Sequence, residues 1–171
     1  QIDILLNSAT GSSVTMNKGT VFTTKVNNTD YQYVTNEDIT ISPINGVYQF
    51  NNVKIYEGTL VTFKYTFNES DVDQKFIIPS TDADTTTLKV SVQTSATDTT
   101  EKTYNLAGGY NDVSSDTRVY FLQEGSDGKF EVYFGDGIVG KKLDDGNIVI
   151  LEYIVTNKAD SNGASKFSLS G

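Results

Sequence analysis

The chain contains neither cysteine nor histidine in its 171 residues. Without cysteine there is no disulfide framework, no zinc–thiolate centre and no thiol nucleophile. Without histidine the usual general base near neutral pH is missing, as are the commonest transition-metal ligand and any Ser–His–Asp triad. Positive charge is also scarce: 13 Lys and Arg stand against 22 Asp and Glu, a formal net charge of −9. Nucleic acid and anionic membranes would repel such a surface. The acidic residues are spread along the chain, which favours solubility as their plain role. No apolar run approaches the roughly 20 residues that span a bilayer, and no basic start precedes an apolar signal segment. The chain opens Gln1-Ile2-Asp3, with no methionine, and is expected to be a fragment or a processed product. Its lack of cysteine is compatible with a cytosolic origin.

What is present alternates with period two. In Val61-Thr-Phe-Lys-Tyr-Thr-Phe67, the residues Val61, Phe63, Tyr65 and Phe67 share one face and Thr62, Lys64 and Thr66 the other. Thr20 to Val26, Tyr31 to Val34, Tyr48 to Tyr56, Leu88 to Gln93, Arg118 to Leu122 and Phe130 to Phe134 follow the same pattern. Ile148 to Val155 is apolar on both faces apart from Glu152, and predicts a central or doubly covered strand. Asn45-Gly46, Asp127-Gly128, Asp136-Gly137, Asp145-Gly146 and Asn162-Gly163 supply turn chemistry between strands, and Gly108-Gly109 a further break. No long segment keeps helical spacing; one helical turn near Ser70 to Gln74 or Val113 to Thr117 fits at most. The expected fold is all-β, mainly antiparallel with little helix. It forms either two small lobes, residues 1–70 and 71–171 divided near Asn68 to Asp73, or one elongated sandwich. Ser95 to Lys102 is expected to be an exposed polar loop.

Gly135-Asp-Gly-Ile-Val-Gly140 matches G-x-G-x-x-G after a strand-like run, with Glu152 downstream. A dinucleotide site needs those glycines to open a helix whose N–H groups hold pyrophosphate. Only Lys141 to Asn147 separates Gly140 from the next strand, and Asp136 places a negative charge in the loop. The block therefore predicts a bend between strands, with Asp136-Gly137 forming a tight turn and Gly140 allowing close passage of the chain.

Paired carboxylates occur at Asp71 and Asp73, Asp82 and Asp84, and Asp144 and Asp145. Glycosidase chemistry needs two carboxyls facing each other across a cleft, one of them held protonated. These pairs sit in polar turns and are expected to accept turn N–H groups. Neither Asp-x-Asp continues into a calcium-loop pattern, so at most a weak site is expected there. Tyr and Phe fall mostly on alternating strand positions and are expected to pack inward. Tyr104 and Tyr110, beside Gly108-Gly109, are placed in loops as possible contact residues. Lys141-Lys142 is the only adjacent basic pair and too isolated for a phosphate patch.

Several blocks carry a family pattern. Val14-Thr-Met-Asn-Lys-Gly-Thr-Val-Phe22 followed by Tyr31-Gln-Tyr-Val-Thr-Asn-Glu-Asp-Ile-Thr40 resembles the baseplate J-like family, whose members build the baseplate wedges of contractile-tailed phages. The resemblance continues through Tyr56-Glu-Gly-Thr59, Phe76-Ile-Ile-Pro79, Thr87 to Val92, Tyr133 to Leu143, Gly146-Asn147, Tyr153, Thr156-Asn-Lys158 and Asn162-Gly-Ala164. Phe134-Gly-Asp-Gly-x-x-Gly140 before a Gly-Asn turn is its most specific element. The pattern resembles that of wedge proteins of T-even-type phages. Lys158 to Gly163 departs from the family in being longer and more polar than its short Gly-rich link.

The resemblance implies an internal piece of a larger structural, non-enzymatic protein of the virion's tail baseplate, assembled in the host cytoplasm. Its partners would be other wedge subunits and copies of itself, with exposed loops such as Ser95 to Lys102 and Lys158 to Ser165 meeting neighbours. No nucleic acid, membrane, cofactor, metal or catalytic residue is expected. The residues singled out are Gly135, Asp136, Gly137 and Gly140, as a structural turn. The alternative is a secreted or surface immunoglobulin-like module, an adhesin or carbohydrate binder leaning on Tyr104 and Tyr110.

Overall fold

Thr, Val, Ile, Tyr and Phe at alternating positions favour pleated, half-buried backbone, and strands account for nearly all the regular structure among the described residues. A computed structural model describes residues 1–7, 10–108, 113–157 and 161–170. In chain order the strands are β1 (Ile2–Asn7), β2 (Val14–Met16), β3 (Val21–Val26), β4 (Thr29–Val34), β5 (Ile39–Ile41), β6 (Val47–Val53) and β7 (Tyr56–Glu57). There follow β8 (Thr59–Thr66), β9 (Phe76–Ile77), β10 (Ala83–Gln93), β11 (Glu101–Leu106), β12 (Val119–Glu124), β13 (Phe130–Phe134), β14 (Ile148–Val155) and β15 (Ser168–Leu169).

The chain divides into two compact units, Gln1–Leu60 with Ile154–Gly171, and Val61–Tyr153. This division runs differently from a cut near residue 70. The chain passes from one unit to the other within β8 and returns within β14. The polar stretch 68–73 is a pair of turns inside the second unit, with Asp71 N donating to Asn68 O and Gln74 N to Asp71 O.

The first unit carries three small sheets: β15-β3-β4-β7, β1-β6 and β2-β5. Asn27 and Asn28, with φ of 49° and 69°, make the two-residue turn that sets Val26 opposite Thr29. Phe22, Val34, Tyr48, Phe50 and Val53 form its core. At the far end of the sequence, Ser168 pairs with Thr23 and Leu169 with Phe22, adding the terminal strand to β3.

The second unit is built on one seven-stranded sheet, ordered β8-β14-β10-β11-β12-β13-β9. The pairs are antiparallel from β12 to β9, whereas β11 and β12 run parallel. The sheet curls into a nearly closed barrel. Its edges β8 and β9 meet where the Tyr65 hydroxyl donates to Ile77 O and the Tyr65 and Phe76 rings pack edge to face, 5.6 Å apart. Phe134 continues the aromatic contacts from Phe76 to Tyr104, with ring centroids 5.4 Å apart at both steps. β14 lies between β8 and β10, and Val149 to Ile154 are all buried, as its two-sided apolar run requires.

One expected loop is shorter than the sequence suggests. Glu101 and Lys102 belong to β11 and pair with Gln93 and Val92, so only residues 94–100 connect the hairpin. Tyr104 is the only buried side chain of β11, which leaves little apolar pattern to announce the strand.

Candidate functional site

The Gly135–Gly140 block follows β13 and closes on itself. Asp136 Oδ1 accepts hydrogen bonds from Ile138 N at 2.8 Å and Val139 N at 2.9 Å. Gly137 N donates to Gly140 O at 3.0 Å, and Gly140 N to Ser114 O at 3.1 Å. Gly137 and Gly140 take φ of 89° and 83°, where a β-carbon is strained. The tightest position is Gly135. A Cβ there would lie 2.2 Å from Gly140 C and 2.3 Å from its O, backbone against backbone. At Gly140 a Cβ would stand 3.0 Å from Val119 Cγ2, whereas at Gly137 it would meet only Lys142 Cβ at 3.8 Å, an ordinary contact.

This geometry leaves no cradle for phosphate. A phosphate loop needs N–H groups free to point at an anion. Here Asp136 takes two of them, and Gly137, Gly140 and Lys141 donate to Gly140 O, Ser114 O and Thr117 O. After Gly140 the chain turns through residues 141–147 into β14, without a helix. The amide bonds from Val139 first, then Ile138, lower the Asp136 pKa, because they stabilise its charged form. Glu152 lies in the middle of β14 with 8% of its surface exposed, inside the sheet rather than at a loop mouth.

Other residues of the family pattern are also brought together. Asn17-Lys-Gly-Thr20 and Thr35 to Asp38 form a clasp in the first unit. Thr35 is fully buried; its hydroxyl donates to Asn17 O at 3.0 Å and accepts from Thr20 N at 3.1 Å. Gly19 N donates to Thr35 O, Thr35 N to Thr20 O, and Lys18 N to Asp38 Oδ1 at 2.6 Å. In the same unit Glu57 receives both the backbone N and the Nδ2 of Asn157, at 2.9 and 2.7 Å. Gly58 beside it has φ of 120°, and a Cβ there would lie 2.0 Å from Val155 O. A side chain at position 58 would push this part of the chain away from the end of β14.

Asp71 and Asp145 serve turn backbone as expected, whereas Asp84 lies within β10 rather than in a turn. Asp71 Oδ1 accepts Asp73 N, Asp84 Oδ1 accepts Thr86 N and Oγ1, and Asp145 Oδ1 accepts Glu69 N. Asp144 N donates to Asn147 Oδ1 in the next turn, and Asp82 N to Ser80 Oγ. Among the described residues no three acidic groups converge as metal ligands. Lys142 pairs with Glu69 at 2.6 Å, and Lys141 N donates to Thr117 O.

Tyr104 departs from its expected loop position. It lies in β11, 4% exposed against the Phe134 ring, and burial raises its pKa while Arg118 pulls it the other way. A side chain in that position cannot stack on a sugar. Tyr110 and Gly109 lie outside the described residues, as do Lys158 to Asp160 at the start of the other proposed contact loop. Within that loop Ser161 is buried, and its carbonyl accepts the Tyr33 hydroxyl.

Three features had weak sequence signals. The clasp joins segments whose polar residues look like ordinary turns until Thr35 is seen to be buried. Gly135 and Gly58 are isolated by spacing alone, and only the neighbouring backbone shows why they are glycine. Val72 and Ile138 are apolar side chains set in polar turns, 92% and 77% exposed.

No protein-family model matches the chain. Over 175 aligned residues the chain is 29% identical to baseplate wedge protein gp6 of Enterobacteria phage T4. The alignment covers 91% of this chain and 25% of that protein, so the chain spans about a quarter of its curated relative. Its sequence thus resembles, along nearly its whole length, a segment of a phage baseplate wedge protein.

Proposed function

We propose that the chain is a structural module of a contractile-tail phage baseplate wedge protein and acts through protein–protein contacts in baseplate assembly. The observation that carries this reading is the similarity to a baseplate wedge protein over 91% of the chain. The clasp, the Glu57–Asn157 pair and the glycine loop support it, because each uses residues of the family pattern to fix backbone rather than to bind a small molecule. In this reading the chain catalyses nothing, takes no cofactor or metal, and meets neither nucleic acid nor membrane. Its partners are other wedge subunits and copies of its parent protein, in the virion baseplate put together in the host cytoplasm. Gly135, Asp136, Gly137 and Gly140 are its structural turn. The test is to delete this segment from the full-length protein and count complete baseplates by electron microscopy. The reading requires assembly to stop short of complete baseplates; normal baseplates and infective tails would contradict it.

A further inference from the structure

Among the described residues, the two most exposed large apolar side chains are Val72 and Ile138. Both sit on turns of the second unit that are tied down rather than loose. Gln74 holds the 68–74 segment at two points, donating from Nε2 to Thr66 O and accepting Asn68 N at Oε1. Ile138 lies at the centre of the glycine loop, its own N–H held by Asp136. The 67–74 and 141–147 segments are joined to each other. Phe67 N donates to Asn147 O, Gly146 N to Phe67 O, Glu69 N to Asp145 Oδ1, and Lys142 pairs with Glu69. Exposed apolar groups held in one conformation lose little entropy on docking, so they suit an anchor role.

Charge selects the partner. Segments 67–74 and 135–147 carry Glu69, Asp71, Asp73, Asp136, Asp144 and Asp145, all exposed, against Lys141 and Lys142 only. Lys142 is already engaged with Glu69. A second copy of this chain brings another net −9 to the contact and is disfavoured by like charge. A bare divalent cation lacks a converging ligand set among the described residues. We propose that these loops of the second unit dock a different protein subunit, one that offers apolar contacts to Ile138 and to Val72 with Lys or Arg around them. The proposal deepens the structural-module reading and rests on it in taking another protein as the occupant.

The experiment pans a random-peptide display library against the wild-type chain. Selected peptides are then measured against Ile138→Ser and Val72→Ser by isothermal titration at low and high salt. Both side chains are exposed, so the variants should keep the wild-type melting temperature. The expected result is enrichment of peptides that combine Lys or Arg with an aliphatic or aromatic residue. Their binding should fall about tenfold or more in Ile138→Ser, by less in Val72→Ser, and also on raising salt. No enrichment, peptides without basic residues, or binding indifferent to Ile138→Ser would each overturn the proposal. So would sedimentation showing that the chain associates with itself through Ile138. An overturned surface combined with failed baseplate assembly on deletion of the segment would leave the structural-module reading standing.

Discussion

The clasp around Thr35 and the loop from Gly135 to Gly140 both fix irregular backbone, by opposite means. In the clasp a buried side chain does it: the Thr35 hydroxyl donates to Asn17 O and accepts Thr20 N, tying the turn at residues 17–20 to the chain after β4. In the loop the absence of side chains does it, because Gly135 lets its own backbone touch that of Gly140. The first arrangement is sensitive to loss of a polar atom, the second to gain of a carbon.

The largest effect is expected from Gly135→Val. Its Cβ would enter the backbone of Gly140, and no rotamer relieves that overlap. Urea or thermal unfolding should show a loss of about 3 kcal/mol or more, or no folded protein. A loss below about 1 kcal/mol would mean that the loop opens easily and that the contrast with the clasp is false.

Thr35→Val comes next. It keeps the volume and removes the hydroxyl, so it should cost about 1–2 kcal/mol through the loss of two hydrogen bonds, Thr20 N and Asn17 O keeping each other as partners. Thr35→Ser keeps the hydroxyl and should recover much of that loss. Should Ser and Val prove equally damaging, packing rather than hydrogen bonding holds the clasp.

Gly137→Val separates space from backbone strain within the loop itself. A Cβ at position 137 meets nothing nearer than Lys142 Cβ at 3.8 Å, so only the positive φ opposes it. A cost of about 1–2 kcal/mol is expected, clearly below that of Gly135→Val. Gly137→Asn should cost less still, since Asn tolerates this conformation.

The smallest effect is the pH response of Asp136. Its folded-state pKa is depressed, by the Val139 amide first and then by that of Ile138, so its stabilisation is fully present above the unfolded aspartate pKa. It is lost as pH falls through the lowered folded value. The group is exposed to solvent, which keeps the contribution small. Melting temperature should drop on acidification into that range, and Asp136→Asn should flatten a part of the drop. An identical acid profile in the variant would remove Asp136 from the list of residues that hold the loop.

Much of the fold was legible in residue order. Val61 to Phe67 and Ile148 to Val155 announce their strands because their side chains alternate, or bury on both faces, without interruption. β9 and β15 are two residues long, too short for a period to show. β11 was hidden because every side chain but Tyr104 points to water, and that also misplaced Tyr104 in a loop. The candidate site was half legible. The turn chemistry of Asp136-Gly137 and the family pattern can be seen in the string, and the missing helix after Gly140 already argued against a phosphate cradle. That Gly135 touches Gly140, that Gly58 lies against Val155, and that Thr35 reaches Asn17 are facts of approach between segments. They depend on how neighbouring strands bring distant backbone together, and no spacing rule encodes that.

Native-state hydrogen exchange at the amides of Gly137 to Lys141 tests most directly whether this loop is closed scaffold. Gly137, Ile138, Val139 and Gly140 have their acceptors within the loop or on Ser114, and Lys141 donates to Thr117 O. The account predicts that all five exchange more slowly than unprotected amides, that Asp136→Ala releases Ile138 and Val139 first, and that added nucleotide changes none of them. Exchange at unprotected rates in the wild-type chain, or protection that appears only with nucleotide, would contradict it.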